Sequence, residues 1–154
     1  MKKFLLKIWR ILPFWMQFFA AAIIRPRYHV AVGGMIINEQ GQILLCEHTY
    51  RRLHSWGLPG GGLKFGEDPE DGIKREIFEE TGLTVQYARL LLVENSTEFH
   101  HITLTYLCTG VSGTFVPNEE VSNIRYSDAN KLPDFFKEHR ATIEKCLVIL
   151  NSEK

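Results

Sequence analysis

Acidic residues are missing from the first 38 positions, where Lys2, Lys3, Lys7, Arg10, Arg25 and Arg27 supply six positive charges. The other 116 residues hold twelve basic and eighteen acidic side chains, so the chain is neutral as a whole while its body is acidic. A neutral total gives no support for a nucleic-acid backbone as partner, and an acidic body suits a site that collects cations. Cysteine is scarce: Cys46, Cys108 and Cys146 form an odd, scattered set with no CxxC, CxxH or HxxxH spacing, which excludes a zinc site and a disulfide framework and fits reduced thiols in the cytoplasm. Six prolines in 154 residues and 45% apolar residues exclude disorder and collagen-like repeats. A chain of this length builds one self-sufficient core, so a bound metal would be functional rather than structural.

A long uninterrupted apolar run is also missing. Residues 4–24 (FLLKIWRILPFWMQFFAAAII) are cut by Lys7 and Arg10, leaving only Ile11 to Ile24 free of charge, against the roughly 20 residues a membrane-spanning helix needs. The same two charges count against a signal peptide. Phe4, Ile8, Ile11, Trp15, Phe18 and Ala22 recur at helical spacing, with Lys3, Lys7, Arg10 and Gln17 on another face. Residues 1–25 therefore read as a basic amphipathic helix, kinked at Pro13, ahead of a domain at 26–154. Two roles stay open for it: a peripheral anchor at the inner face of an anionic membrane, or a packing element, including a dimer interface.

From Tyr28 the texture turns to β. HVAVGGMIIN, the turn Glu39-Gln40-Gly41 and QILLCEHT predict a hairpin. Trp56 to Gly62 (WGLPGGG) is too glycine-rich for a regular element and brings backbone close to something. Asp68 as cap, Pro69, the apolar residues Ile73, Ile77 and Phe78, and Gly82 outline a helix from Pro69 to Thr81 whose other face is acidic. Leu83–Asn95 and Phe99–Val111 read as strands, Val121–Tyr126 as a shorter one, and Phe135–Leu150 as a closing helix with Phe136, Ile143, Leu147 and Leu150 on its inner face. The order predicts an α+β fold with a central helix packed on a sheet. Neither GxGxxG nor GxxxxGK[ST] is present.

The helix region carries the chemistry. Glu76, Glu79 and Glu80 stand at i, i+3 and i+4, so three carboxylates are expected to project from one face of the helix and repel unless a cation neutralises them. Oxygen-only ligands select a hard ion such as Mg²⁺ or Mn²⁺. From Gly61 the chain reads GGLKFGEDPEDGIKREIFEETGL, which resembles the Nudix hydrolase signature G-x5-E-x7-R-E-U-x-E-E-x-G-U, with U aliphatic, at Gly61, Glu67, Arg75, Glu76, Ile77, Glu79, Glu80, Gly82 and Leu83. A chance match at one window is on the order of one in a billion, given ordinary residue frequencies. Trp56-Gly57-Leu58-Pro59-Gly60 resembles the lead-in of the same MutT-like family.

The resemblance implies a Nudix fold, an α/β/α sandwich with a mixed central sheet, and divalent-metal-dependent hydrolysis of a diphosphate bond in a nucleoside diphosphate linked to another moiety. It implies that Glu76, Glu79 and Glu80, with the carbonyl of Gly60 or Gly61, hold Mg²⁺ or Mn²⁺. Arg75 would orient a glutamate, and Glu67 would brace the loop or contact metal-bound water. The general base is open between Glu76 or Glu79 and the loop residues Glu98, Glu119 and Glu120. Lys64, Gly72 and Tyr126 depart from the usual pattern, where an acid, an alanine and a tryptophan are frequent.

For substrate binding, Arg51, Arg52 and His54 precede the glycine loop and read as phosphate or base contacts or as a solvated basic loop. Trp56 and Phe65 read as stacking partners or core, and of His100 and His101 one is expected to face solvent and the other the sheet interior or the cleft. No proline stands between Pro69 and Pro117, so the downstream proline associated with ADP-ribose hydrolases is absent. The substrate is read as a small nucleotide. A non-catalytic nucleotide sensor and a hydrolase of a membrane-presented diphosphate are the competing readings.

Overall fold

The computed structural model describes residues 9–24, 27–53, 55–96, 100–133 and 137–153. Among the described residues seven strands run in chain order: β1 (His29–Ile36), β2 (Ile43–His48), β3 (Trp56–Gly57), β4 (Gly60–Gly62), β5 (Thr84–Ser96), β6 (His101–Ser112) and β7 (Val121–Ser127). The α-helices α1 (Phe14–Ile24), α2 (Pro69–Thr81) and α3 (Lys137–Ser152) accompany them among the described residues. The strands form a four-stranded mixed sheet, β4-β1-β6-β5, and a three-stranded sheet, β3-β2-β7. In the mixed sheet β1 runs parallel to β6, and the β1–β4 and β5–β6 pairs are antiparallel.

The expected hairpin is corrected here. β1 and β2 lie in different sheets, and just after β1 the isolated bridge Ile37–Ile43 and the Asn38 N–H on Gln42 O close the connection. The side-chain oxygen of Asn38 accepts from the Gln40 and Gln42 N–H groups, holding the connection as a local turn while each strand finds its partners elsewhere. The glycine run is corrected too. Gly60–Gly62 is a short strand, with Gly60, Gly61 and Gly62 opposite Gly33, Val32 and Ala31.

Period-two alternation puts a core on each face of the sheets. Val32, Ile36 and Leu44 join Ile73 and Ile77 of α2 in one cluster, whereas Met35, Ile43 and Leu45 join Ile143 and Cys146 of α3 in the other. This is a sandwich of helices about sheet. Cys46, Cys108 and Cys146 are free and buried within it. Ahead of the sandwich, helix is interrupted at Leu12–Pro13 and resumes as α1, the expected break at proline. The amphipathic reading does not describe α1, whose apolar residues surround the axis; the basic residues of the segment lie outside its bounds. Among the described residues no helix is long and apolar enough to cross a membrane.

Candidate active site

Helix α2 begins and ends as its residues require. The Asp68 carboxylate accepts from the Glu70 N–H at 2.9 Å, Pro69 occupies the first turn, and Gly82 closes the helix at φ 74° with its N–H on Phe78 O. Ile73, Ile77 and Glu80 stand at i, i+4 and i+7, one stripe, so packing the two isoleucines on the sheet carries Glu80 inside with them. Glu80 is 2% exposed. Glu76 and Glu79 fall progressively toward the flank, with Arg75 beyond them.

Arg75 gathers the flank. It donates to both oxygens of Glu67 at 2.6 and 2.9 Å, to Glu76 at 2.7 Å, to Glu79 at 2.8 Å and to Gly62 O at 3.3 Å. The guanidinium holds the Glu67 carboxyl down at about 2 and lowers that of Glu79, and these partners, Glu67 foremost, raise its own pKa. Lys64 Nζ adds a contact to Glu79 at 3.4 Å. Gly61 lies against Glu76 so closely that a Cβ there would sit 2.5 Å from a carboxylate oxygen. Gly60, at φ 147°, would drive a Cβ into the Val32 carbonyl at 2.1 Å. Only glycine lets β4 cross this close to both β1 and α2.

Glu80 is held separately. Its carboxylate accepts from the Gly60 N–H at 2.8 Å and lies 3.5 Å from His48 Nδ1. Burial pushes its pKa up to about 7, and burial followed by the charge of Arg51 pushes that of His48 down to about 4. Asn118 secures the C-terminal turn behind these residues: its amide donates to Glu79 O and Glu80 O at 2.9 and 3.0 Å, while its oxygen accepts from the Glu120 and Val121 N–H groups.

The glutamates therefore do not form a ready-made cluster of ligands among the described residues. Without a cation, carboxylates this close must each find a donor, and Arg75, Lys64 and the Gly60 N–H supply them. The donor chemistry nonetheless fits a hard divalent ion: carboxylate and backbone carbonyl oxygens, with the buried Glu80 beside the glycine strand.

A cavity of about 960 Å³ opens on this loop. Gly60, Gly61 and Glu67 are among its lining residues, as are Arg51, His101, Thr103, Thr105 and His139, while no residue of α2 lines it. Thr105 is 1% exposed, and among the described residues its hydroxyl has no hydrogen-bond partner. Burial and the charge of Arg51 lower the pKa of His139 to about 4.

Of the substrate residues read from the sequence, Arg51 lines this cavity and Arg52 does not, being exposed beside it. Trp56 is not among the lining residues; its ring packs at the edge of the α3-side core and carries the Arg125 guanidinium at 4.4 Å. Phe65 lines the mouth and is fully exposed. His101 faces the cavity while His100 is exposed, edge-on to Tyr28. His54 and Glu98 lie outside the described residues, and Glu120 acts electrostatically on Glu80 from its loop. His48, Thr105, Asn118 and His139 were not legible as site residues, because each becomes one only through strand pairing or helix docking.

The chain matches the NUDIX domain model over residues 27–146. It is 34% identical over 88 residues to a MutT-like protein of Streptomyces ambofaciens, covering 57% of this chain and 56% of that one. It is 35% identical over 69 residues to an RNA pyrophosphohydrolase of Roseobacter denitrificans, covering 45% and 43%. The chain thus spans about half the length of the curated relatives it matches. Among solved structures, a MutT NUDIX hydrolase from Burkholderia pseudomallei superposes with a TM-score of 0.69 at 27% identity over 78% of this chain and 98% of that one. A UDP-X diphosphatase shares the fold, with a TM-score of 0.70 at 22% identity over 90% and 72%. The family model covers the strands, the carboxylate helix and the cavity alike, and the chain belongs to the NUDIX family.

Proposed function

We propose that this chain is a pyrophosphohydrolase that cleaves a diphosphate bond in a small nucleotide, a nucleoside diphosphate carrying a further moiety. The observation that carries the reading is a shared loop: Gly60–Glu67 lines the cavity that also reaches Thr105 and His139, and the same loop binds the carboxylate helix through Gly60 N–H on Glu80 and Glu67 on Arg75. The cavity's volume suits a nucleoside next to a reacting diphosphate.

Glu76, Glu79 and Glu80, with the Gly60 carbonyl, would hold Mg²⁺ or Mn²⁺. When bound, the ion neutralises diphosphate charge and acidifies water. Arg75 and Glu67 brace Glu76 and Glu79 toward the glycine strand, and Arg51 binds a phosphate oxygen from the cavity wall. A carboxylate, Glu76 or Glu79, takes the proton of the attacking water. The water oxygen bonds to one phosphorus, the bridging P–O bond breaks, and the other phosphate leaves with the bridging oxygen. Arg52 and His54 remain candidates for contacts at the cavity mouth. Trp56 serves the reading better as support for β3 than as a stacking partner, given its cation–π contact with Arg125. Buried free cysteines are consistent with a cytoplasmic enzyme.

The test is a panel of nucleoside triphosphates, nucleotide sugars, dinucleoside polyphosphates and CDP-alcohols, with product masses read in Mg²⁺, Mn²⁺ or EDTA. Cleavage of one class, abolished by EDTA, is expected. Silence across the panel from folded, metal-loaded protein contradicts turnover and leaves a nucleotide-binding role.

A further inference from the structure

Helix α1 takes no part in this site. Its residues, FWMQFFAAAII, include no charge and one polar side chain, Gln17, and the apolar groups are spread around the axis. Phe14, Trp15, Phe18, Phe19 and Ile23 are each at least 67% exposed. Among the described residues, no strand or helix of the body packs substantially on it. A helix apolar on all sides is at home only where all sides leave water. A groove on a protein, or a second copy of this chain, covers one face and leaves the others wet; an apolar phase covers every face.

Two further observations select that phase. Pro13 has no N–H, so the carbonyl of Trp9 loses its helical donor, and the Gln17 side-chain amide replaces it, donating to Trp9 O at 3.0 Å and to Leu12 O at 2.8 Å. The Gln17 amide nitrogen and the Trp9 and Leu12 carbonyls are thereby paired within the helix, an arrangement that suits hydrocarbon. Arg10 and Arg27, both exposed, bracket the helix, and the sequence adds Lys2, Lys3, Lys7 and Arg25 with no acid before Glu39. Eleven residues make a helix of about 16 Å, roughly half the 30 Å hydrocarbon layer, long enough to enter one leaflet and too short to cross.

We propose that α1 inserts into the interfacial layer of an anionic lipid bilayer, its aromatic residues among the acyl chains and the flanking basic residues on the lipid phosphates. The domain from β1 onward then stands in water at the membrane surface. This assignment is independent of the proposed hydrolase activity.

The full chain is sedimented with vesicles of phosphatidylcholine alone or with 30% phosphatidylglycerol (about one anionic lipid in three, enough for polybasic attraction), in EDTA, alongside tryptophan emission. Binding to the anionic vesicles with a blue shift is expected, weakened by salt. Trp15→Glu/Phe18→Glu should abolish it, and Arg10→Gln/Arg27→Gln should lower partitioning roughly tenfold or more, both with circular dichroism unchanged. Equal binding by wild type and the Trp15→Glu/Phe18→Glu variant overturns the proposal. So does a wild-type dimer in light scattering that binds no vesicles and dissociates on Phe18→Glu, which assigns the helix to a second copy.

Discussion

Arg75 and Glu67 meet as a fork on a fork, with Nε and Nη2 each on one oxygen of the same carboxylate at 2.6 and 2.9 Å, while Nη1 spans Glu76 and Glu79. One guanidinium thus ties the loop before α2 to the flank of the carboxylate helix. Arg75→Lys keeps the charge and loses the planar fork. Turnover of the best substrate should fall on the order of 10–100-fold, as for other partners that orient ligands. An activity within twofold of wild type would detach Arg75 from that role.

Glu80 carries a pH signature in the metal-free protein. Its carboxyl rises from 4.5 to about 7 because it is buried, so between those values the folded chain keeps a proton that the unfolded chain releases. The stabilisation is complete below about pH 4.5 and is lost as pH rises through 7, an effect on the order of 2–3 kcal/mol. In EDTA, wild type should lose thermal stability from pH 5 to 8, and Glu80→Gln should lose distinctly less. At pH 8, Mg²⁺ should raise the melting temperature of wild type more than that of the variant. Parallel pH curves would show that the shift at Glu80 is not felt in stability.

Thr105 gives opposite signs in two measurements. Its buried hydroxyl has no partner among the described residues, so Thr105→Val should leave stability unchanged or raise it by about 1 kcal/mol. If the nucleoside moiety reaches the floor of the cavity, KM should rise several-fold while kcat changes little. An unchanged KM would place the substrate elsewhere.

Asn118 joins the last turn of α2 to the start of β7 by four hydrogen bonds. Asn118→Ala should cost about 1–2 kcal/mol and lower turnover, since Glu79 and Glu80 sit on the turn it holds. Chemical denaturation measures the first effect. A loss of stability with full activity would limit Asn118 to a structural role.

What was legible in the chain was local. Helix α2 is bounded by Asp68, Pro69 and Gly82, all within its own turns, and its glutamates lie at readable spacings. The separation of the buried Glu80 from Glu76 and Glu79 was not read from that spacing, which grouped the three on one face; it comes from packing the Ile73–Ile77 stripe on the sheet. Strand partnership is not local. The Glu39-Gln40-Gly41 turn resembles a hairpin, yet β1 pairs with β6, where His29 lies opposite His101, and β2 pairs with β7. The same long-range pairing brings Thr105 under the cavity, and the docking of α3 brings His139 over it. The triple glycine hides a strand because its partner, β1, accepts bare backbone at that edge.

The most direct test of the carboxylate helix as the reacting centre is turnover of the best panel substrate with Mg²⁺ by wild type, Glu79→Gln and Glu80→Gln, with folding checked by circular dichroism. Loss of at least a hundredfold in kcat for both folded variants, and no turnover by wild type in EDTA, is the expected result. Wild-type rates in either variant, or turnover that survives EDTA, would contradict the account.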